Sequence, residues 1–147
     1  LADAVDVMAV PPVPSPSHRV KRWRWRLFEL LDTLDRLFAL TAPLTLGTFR
    51  MREEVQDAVL LGLLRLGETT KYIPQSVQDR HPEVPWADLR DIRNLVAHDY
   101  FGLAPELVWR TVREELPALR PRLQALTDSA EPDLIPSSIL PSGPGQG

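Results

Sequence analysis

One stretch of this chain concentrates side chains that could do chemistry. It reads RNLVAHDY from Arg93 to Tyr100 and contains His98, one of three histidines in the chain. A histidine exchanges protons near neutral pH, and an arginine stays charged and matches the planar geometry of anionic oxygens. Arg90, Asn94 and His98 are spaced by four residues, so a helix would stack them on one face. The spacing therefore predicts a polar, reactive face on one helix.

The same spacing limits what one copy of this helix can do. On an ideal helix Arg93 and His98 point about 140° apart, so one helix cannot easily aim both at the same substrate atom. Two copies that face each other across a two-fold axis could do so. The plainer interpretation is a surface charge and a solvated imidazole, and the spacing by itself favours it.

Composition excludes several classes of protein. The 147 residues, 44% of them hydrophobic, are enough for one domain with a sizeable core, and the absence of cysteine excludes disulfides, thiolate nucleophiles and cysteine-ligated metals. No two histidines have metal-ligand spacing, so we expect neither a metal nor another cofactor. No apolar run reaches the roughly 20 residues of a membrane helix, and the start lacks the order of a secretory signal, so we expect a cytoplasmic protein. A net charge of −3 argues against coating nucleic acid by bulk charge, although a local basic patch could still bind it.

Helical periodicity runs through the middle of the chain and predicts an all-α fold, a bundle of four or five helices. Residues 1–18 are rich in proline and residues 128–147 in proline and glycine, so the predicted division is a disordered segment over 1–18, a helical domain over 19–127 and a disordered tail over 128–147. The four main predicted helices span 20–40, 50–71 (the central one), 86–102 and 105–126, with a turn-rich stretch over 73–85. Gly102 is predicted to stop the third helix in a left-handed conformation, and Pro117 to kink the fourth.

The pattern Arg-x4-His-x-Tyr, formed by Arg93, His98 and Tyr100, resembles the signature of HepT-like members of the HEPN superfamily. The likeness extends over HPEVPWADLRDIRNLVAHDYFGLAPELVW, the later EELPALRPRL and the LGE step that ends at Glu68, and covers roughly residues 20–126. The sequence departs from the family at Leu61–Gly62, where a polar residue is common, and in both proline-rich ends. These departures bear on partner contacts more than on catalysis.

This resemblance implies a HEPN-type bundle that forms a homodimer, with the active site at the interface, and acts as a metal-independent endoribonuclease. Arg93 and His98 would be catalytic, Arg93 as the phosphate clamp and His98 as the acid-base group, with Asn94 in support. It also implies a toxin of a toxin-antitoxin system, silenced when a cognate minimal nucleotidyltransferase antitoxin transfers AMP to Tyr100. The rival interpretation is a catalytically silent helical module that docks a nucleotidyltransferase.

The basic stretch HRVKRWRWR, residues 18–26, has a second possible role. Arg22, Arg24 and Arg26 alternate with tryptophans, so together with Arg90 they are candidate RNA contacts, and binding to an acidic membrane is a weaker alternative. The alternative is that the stretch forms the solvated first turns of a helix with Trp23 in the core, and we rank this explanation somewhat higher.

Overall fold

The computed structural model of the chain describes the backbone of residues 16–129 and the side chains of residues 23–129. Nearly all of the two predicted disordered segments lies outside the described residues. The described part is all-helical and contains no strand, as the periodicity predicts. None of its helices is long and apolar enough to cross a bilayer. The helices are α1 (Pro16–Thr41), α2 (Leu46–Arg50), α3 (Glu53–Thr70), α4 (Gln75–Arg80), α5 (Trp86–Asp99), α6 (Pro105–Arg110) and α7 (Leu119–Ser129).

The core forms where the apolar stripes of the long helices meet. Helix α1 buries Leu27, Leu30, Leu34 and Leu37 almost completely, at the three- and four-residue steps that keep side chains on one helix face. Helix α3 packs between α1 and α5, so it is the central helix that the sequence predicts. The four buried leucines of the last helical run also point inward, at positions 116, 119, 123 and 126.

Two glycines of α3 let its neighbours approach closely. A Cβ atom placed on Gly67 would lie 2.0 Å from the Cβ of Arg93 and 2.7 Å from the carbonyl oxygen of Leu89, both in α5. A Cβ on Gly62 would lie 2.5 Å from a methyl group of Leu37 in α1. A side chain on Gly67 would collide with the backbone of α5, so this glycine permits the close packing of α3 against α5, whereas the Leu37 side chain next to Gly62 could partly adjust.

The helix boundaries differ from the prediction at several places. The predicted helix over 50–71 corresponds to α3, which begins only after Arg52. Arg50 belongs to a separate short helix, α2, which starts with a reciprocal capping box of Thr45 and Thr48. The predicted turn-rich stretch contains α4, and α1 begins at Pro16, where a proline fits because the first helical N–H needs no partner.

The last helical run is continuous but irregular. A π-helical turn over Thr111–Glu115 and a 3-10 turn over Leu116–Ala118 join α6 to α7, so the predicted irregularity at Pro117 is confirmed. The prediction for Gly102 is wrong, since its φ angle is not positive. This glycine instead leaves room for the Asp99 carboxylate, whose oxygen would lie 2.2 Å from an added Cβ atom.

Candidate active site

Arg93 lies at the seam between α5 and α3, directly beside Gly67. Its Nε donates a hydrogen bond to the carboxylate of Glu68, and the two side chains form an ion pair. Its Nη1 donates to Oδ1 of the neighbouring Asn94 at 3.0 Å. The second terminal nitrogen, Nη2, makes no hydrogen bond with any described residue. The guanidinium is therefore held through Nε and Nη1, which leaves Nη2 to bind another group.

Glu68 connects Arg93 to a second cation at the end of α3. Both carboxylate oxygens accept hydrogen bonds from Nζ of Lys71, at 3.1 Å each. These bonds from Lys71, followed by the one from Arg93, lower the pKa of Glu68 below its ordinary value of 4.5. Glu68 therefore remains ionised throughout the neutral range and keeps Arg93 oriented.

The predicted polar face of α5 exists. Arg90, Asn94 and His98 are all exposed on a continuous helix. His98 has no hydrogen bond or ion pair with another described residue, so its imidazole is open to solvent. Asn94 bonds to Arg93 rather than to His98, and Arg90 donates to Oε1 of the buried Gln78 at 2.9 Å.

Within one chain, Arg93 and His98 lie on the same helix but point in different directions. Both belong to the same unbroken helix, so the separation of about 140° that the sequence predicts persists in the fold. Arg93 turns towards α3, whereas His98 projects to solvent. A single copy does not enclose a substrate atom between them.

Tyr100 follows the last residue of α5 and contacts α3 near its N-terminus, far from Glu68 at the other end of that helix. Its hydroxyl donates to Oδ1 of Asp57 at 3.1 Å, and its ring packs edge-on against Phe101 with the centroids 5.2 Å apart. Partial burial, and secondly the hydrogen bond to Asp57, raise the pKa of the phenol above 10.0. The hydroxyl nevertheless lies at the surface, because Tyr100 is exposed and Phe101 is fully exposed.

The other candidate RNA contacts are spread over the start of α1. Arg26 pairs with Glu29 at 2.8 Å and lies over the ring of Tyr72, with 4.0 Å between its Cζ and the ring centroid. Trp23 is buried, as the simpler interpretation of this stretch predicts, whereas Trp25 is exposed. Arg24 also belongs to the described residues, and Arg22 has no described side chain.

Sequence reasoning assigned no role to three residues that position this face: Glu68, Asp57 and Gln78. In the sequence, Glu68 was named only as the end of the LGE step that resembles the family. A charged residue next to a glycine that packs against another helix is a signal that could have identified it. No local signal distinguishes Asp57 or Gln78 from ordinary surface residues. An open cleft of about 450 Å³ also lies near Gln78, Trp86 and Arg90, and Arg90 is about two helical turns from His98 along α5. The described residues contain no group of three or more acidic or histidine side chains that could hold a metal ion.

The described part of the chain is thus a helical bundle that displays an Arg-Asn-His face on one helix. A family described as "Ribonuclease HepT-like" matches residues 30–126, and the chain belongs to this family. The matched range contains the whole segment from Arg93 to Tyr100 together with its partners Glu68 and Asp57. It excludes Arg22, Arg24 and Arg26.

Individual relatives agree with this assignment. The protein named "Probable ribonuclease HepT" from Thermococcus cleftensis is 29% identical over 100 residues, which are 68% of this chain and 91% of that protein. Two proteins of Methanocaldococcus jannaschii, both named as candidate RNases, are also similar. One is 26% identical over 67% of this chain and 90% of its own length, and the other 29% identical over 62% and 75%. No solved structure matches the chain.

Proposed function

We propose that this protein is a metal-independent endoribonuclease in which His98 exchanges protons and Arg93 binds the scissile phosphate. The observation that carries the proposal is the arrangement on α5. An arginine held through Nε by Glu68 and through Nη1 by Asn94, and a solvent-open histidine, share a helix within the range matched by a ribonuclease family. Family membership supports RNA as the substrate.

The chemistry needs only the groups that this face provides. The ribose 2′-hydroxyl attacks the adjacent phosphorus while a base takes its proton, and the bond from phosphorus to the 5′-oxygen breaks as an acid protonates that oxygen. An imidazole is suited to both proton transfers near neutral pH. The positive charge of Arg93 and its Nη2 group would stabilise the charge that develops on the phosphate oxygens. The products would be a 2′,3′-cyclic phosphate and a 5′-hydroxyl.

A homodimer would complete the site. Because Arg93 and His98 diverge on one helix, two copies of α5 across a two-fold axis would place the arginine of one near the histidine of the other. Exposed apolar side chains border this face, namely Leu95 on α5 and the fully exposed Phe101 beyond its end. Apolar surface of this kind is typical of a region that contacts a partner.

We further propose a toxin role with regulation at Tyr100. A cognate minimal nucleotidyltransferase antitoxin would transfer AMP to the phenol, which lies at the surface two residues from His98. The added phosphate would repel an RNA backbone. Tyr100→Phe is expected to cut RNA but to escape silencing, and full inhibition of this variant by the antitoxin enzyme would refute the assignment.

The direct test is incubation of the purified protein with total cellular RNA in the presence of EDTA. We expect fragments with cyclic phosphate ends from the parent protein and none from His98→Ala or Arg93→Ala. His81→Ala and Arg80→Ala are controls, because they remove the same residue types outside this face. A free 3′-hydroxyl on the fragments would exclude the proposed chemistry.

The second candidate function is the silent docking module. It would leave RNA intact with every variant, and expression of the parent protein alone would not slow growth. The exposed Leu95 and Phe101 would then serve only to bind a partner protein.

A further inference from the structure

Just after the end of α3, an aromatic side chain lies against a cation from α1. Tyr72 follows the C-terminus of α3 and is 57% exposed. The guanidinium carbon of Arg26 lies 4.0 Å from the centre of its ring, which is a cation-π contact. The neighbouring Lys71 supplies the second cation, and Trp25 on α1 is also exposed. We call Arg26, Lys71 and Tyr72 the aromatic-basic platform.

The platform is continuous with the candidate active site. Lys71 binds Glu68 through both carboxylate oxygens, and Glu68 binds Arg93. Glu68 lies in the last turn of α3, and Tyr72 lies in the turn that directly follows the helix, so the two are close along the chain. A strand whose phosphate lies at Arg93 would need to extend only a short distance to bring a base to Tyr72.

The acidic residues near the platform still allow an anionic ligand to bind there. Arg26 is paired with Glu29, and both side chains are substantially exposed. Exposed ion pairs of this kind contribute little free energy, so a phosphate can compete for the guanidinium. The other acidic neighbour, Glu68, is already shared between Lys71 and Arg93.

We infer that the aromatic-basic platform binds the unpaired bases of single-stranded RNA next to the cleavage site. A base would stack on the Tyr72 ring by displacing the Arg26 guanidinium from it, and Arg26 and Lys71 would then contact the flanking phosphates. Every base has a π face, so this contact tolerates any sequence but requires an unpaired strand. The inference rests on the proposed ribonuclease activity only for the identity of the ligand.

The test measures binding without cleavage. In a His98→Ala background, the affinity for a fluorescent single-stranded oligoribonucleotide and for the same strand in a duplex is measured by anisotropy. Tyr72→Ala should weaken single-strand binding about 5- to 150-fold, the range for loss of one stacked base. Tyr72→Phe should preserve binding, because the ring remains. Duplex binding should be the same in all these variants.

A matched control distinguishes loss of base stacking on Tyr72 from a general effect of removing an exposed aromatic ring. Phe28 is an aromatic residue on α1 that is 56% exposed, nearly the same as Tyr72, and it points about 200° away from Arg26 around the helix. Phe28→Ala should leave RNA affinity unchanged. Circular dichroism of each variant checks that it is folded.

The possible outcomes are distinct. Single-strand affinity that is unchanged in Tyr72→Ala, or equally reduced in Phe28→Ala, would overturn the inference. So would a Tyr72-dependent affinity for vesicles of anionic lipid but not for RNA. If Tyr72-dependent RNA binding appears and the parent protein never cuts RNA, the proposed catalytic function fails while the platform stands.

Discussion

Replacing Gly67 by alanine should damage stability and the candidate active site together. The added Cβ would lie 2.0 Å from the Cβ of Arg93 and 2.7 Å from the backbone oxygen of Leu89. Neither atom is the end of a flexible side chain, so α3 and α5 must separate by about 1 Å or more to reach ordinary contact distances.

The magnitude follows from two opposing effects. Overpacking of a tight helix contact costs about 1–3 kcal/mol, and a clash with backbone belongs at the upper end of that range. Alanine recovers about 1 kcal/mol of helix propensity relative to glycine. We therefore expect Gly67→Ala to lower the free energy of unfolding by about 2 kcal/mol, measured by urea denaturation.

Two other glycines provide matched controls for the same substitution. A Cβ on Gly47 would meet only Thr45 Oγ1 at an ordinary 3.7 Å, so Gly47→Ala should be neutral or slightly stabilising. A Cβ on Gly62 would meet the side chain of Leu37 in α1, which can partly adjust. Gly62→Ala should therefore be less destabilising than Gly67→Ala, with the face of α5 intact.

Cleavage assays at a temperature where all variants are folded then separate packing from function. Gly67→Ala displaces the Cβ of Arg93, and a misplacement of about 1 Å can reduce a catalytic rate roughly 100-fold. Gly62→Ala should cut RNA at the parent's rate. If Gly67→Ala is as stable as the parent, the close approach of α3 and α5 is refuted. If it is destabilised but fully active, the position of Arg93 does not limit cleavage.

Three further outcomes are expected. Glu68→Gln should slow cleavage without loss of helicity, because Arg93 loses its anionic partner. The pKa of Glu68 lies below 4.5 in the folded protein, so the charged Glu68 contributes to stability above that value, and this contribution is lost as pH falls through the lowered pKa. Acid unfolding curves of Glu68→Gln should lack this loss. Absorbance titration should show the Tyr100 phenol ionising above pH 10, and Asp57→Asn should shift this titration downwards; an unchanged titration would mean that the bond between these residues does not form in solution. Phe49→Ala should lower the free energy of unfolding by about 3–5 kcal/mol in urea, since this ring is fully buried, and a loss below about 1 kcal/mol would contradict its place in the core.

The sequence determined the elements and the polar face. Helical periodicity depends on which positions are apolar, and in α1 the positions spaced three and four apart are the ones that become buried. The exposure of Arg90, Asn94 and His98 on α5 follows from the same rule. The family could also be predicted from the sequence, because its motif lies within the short segment Arg93–Tyr100.

Local patterns were weaker guides to the ends of helices. The short α4 lies in a stretch whose prolines suggested only turns, and Gly102 accommodates the Asp99 carboxylate rather than a left-handed turn. A glycine has several physical uses, and its neighbours in space decide which one applies.

Only the tertiary structure decided which residues support the face. Arg93 and Glu68 are 25 residues apart, and Tyr100 and Asp57 are 43 apart, yet each pair is hydrogen-bonded. Periodicity shows which side of a helix is apolar but not which helix packs against it or at what height. That register is fixed by the close contact at Gly67, and it aligns α3 with α5 so that Glu68 meets Arg93 and Asp57 meets Tyr100.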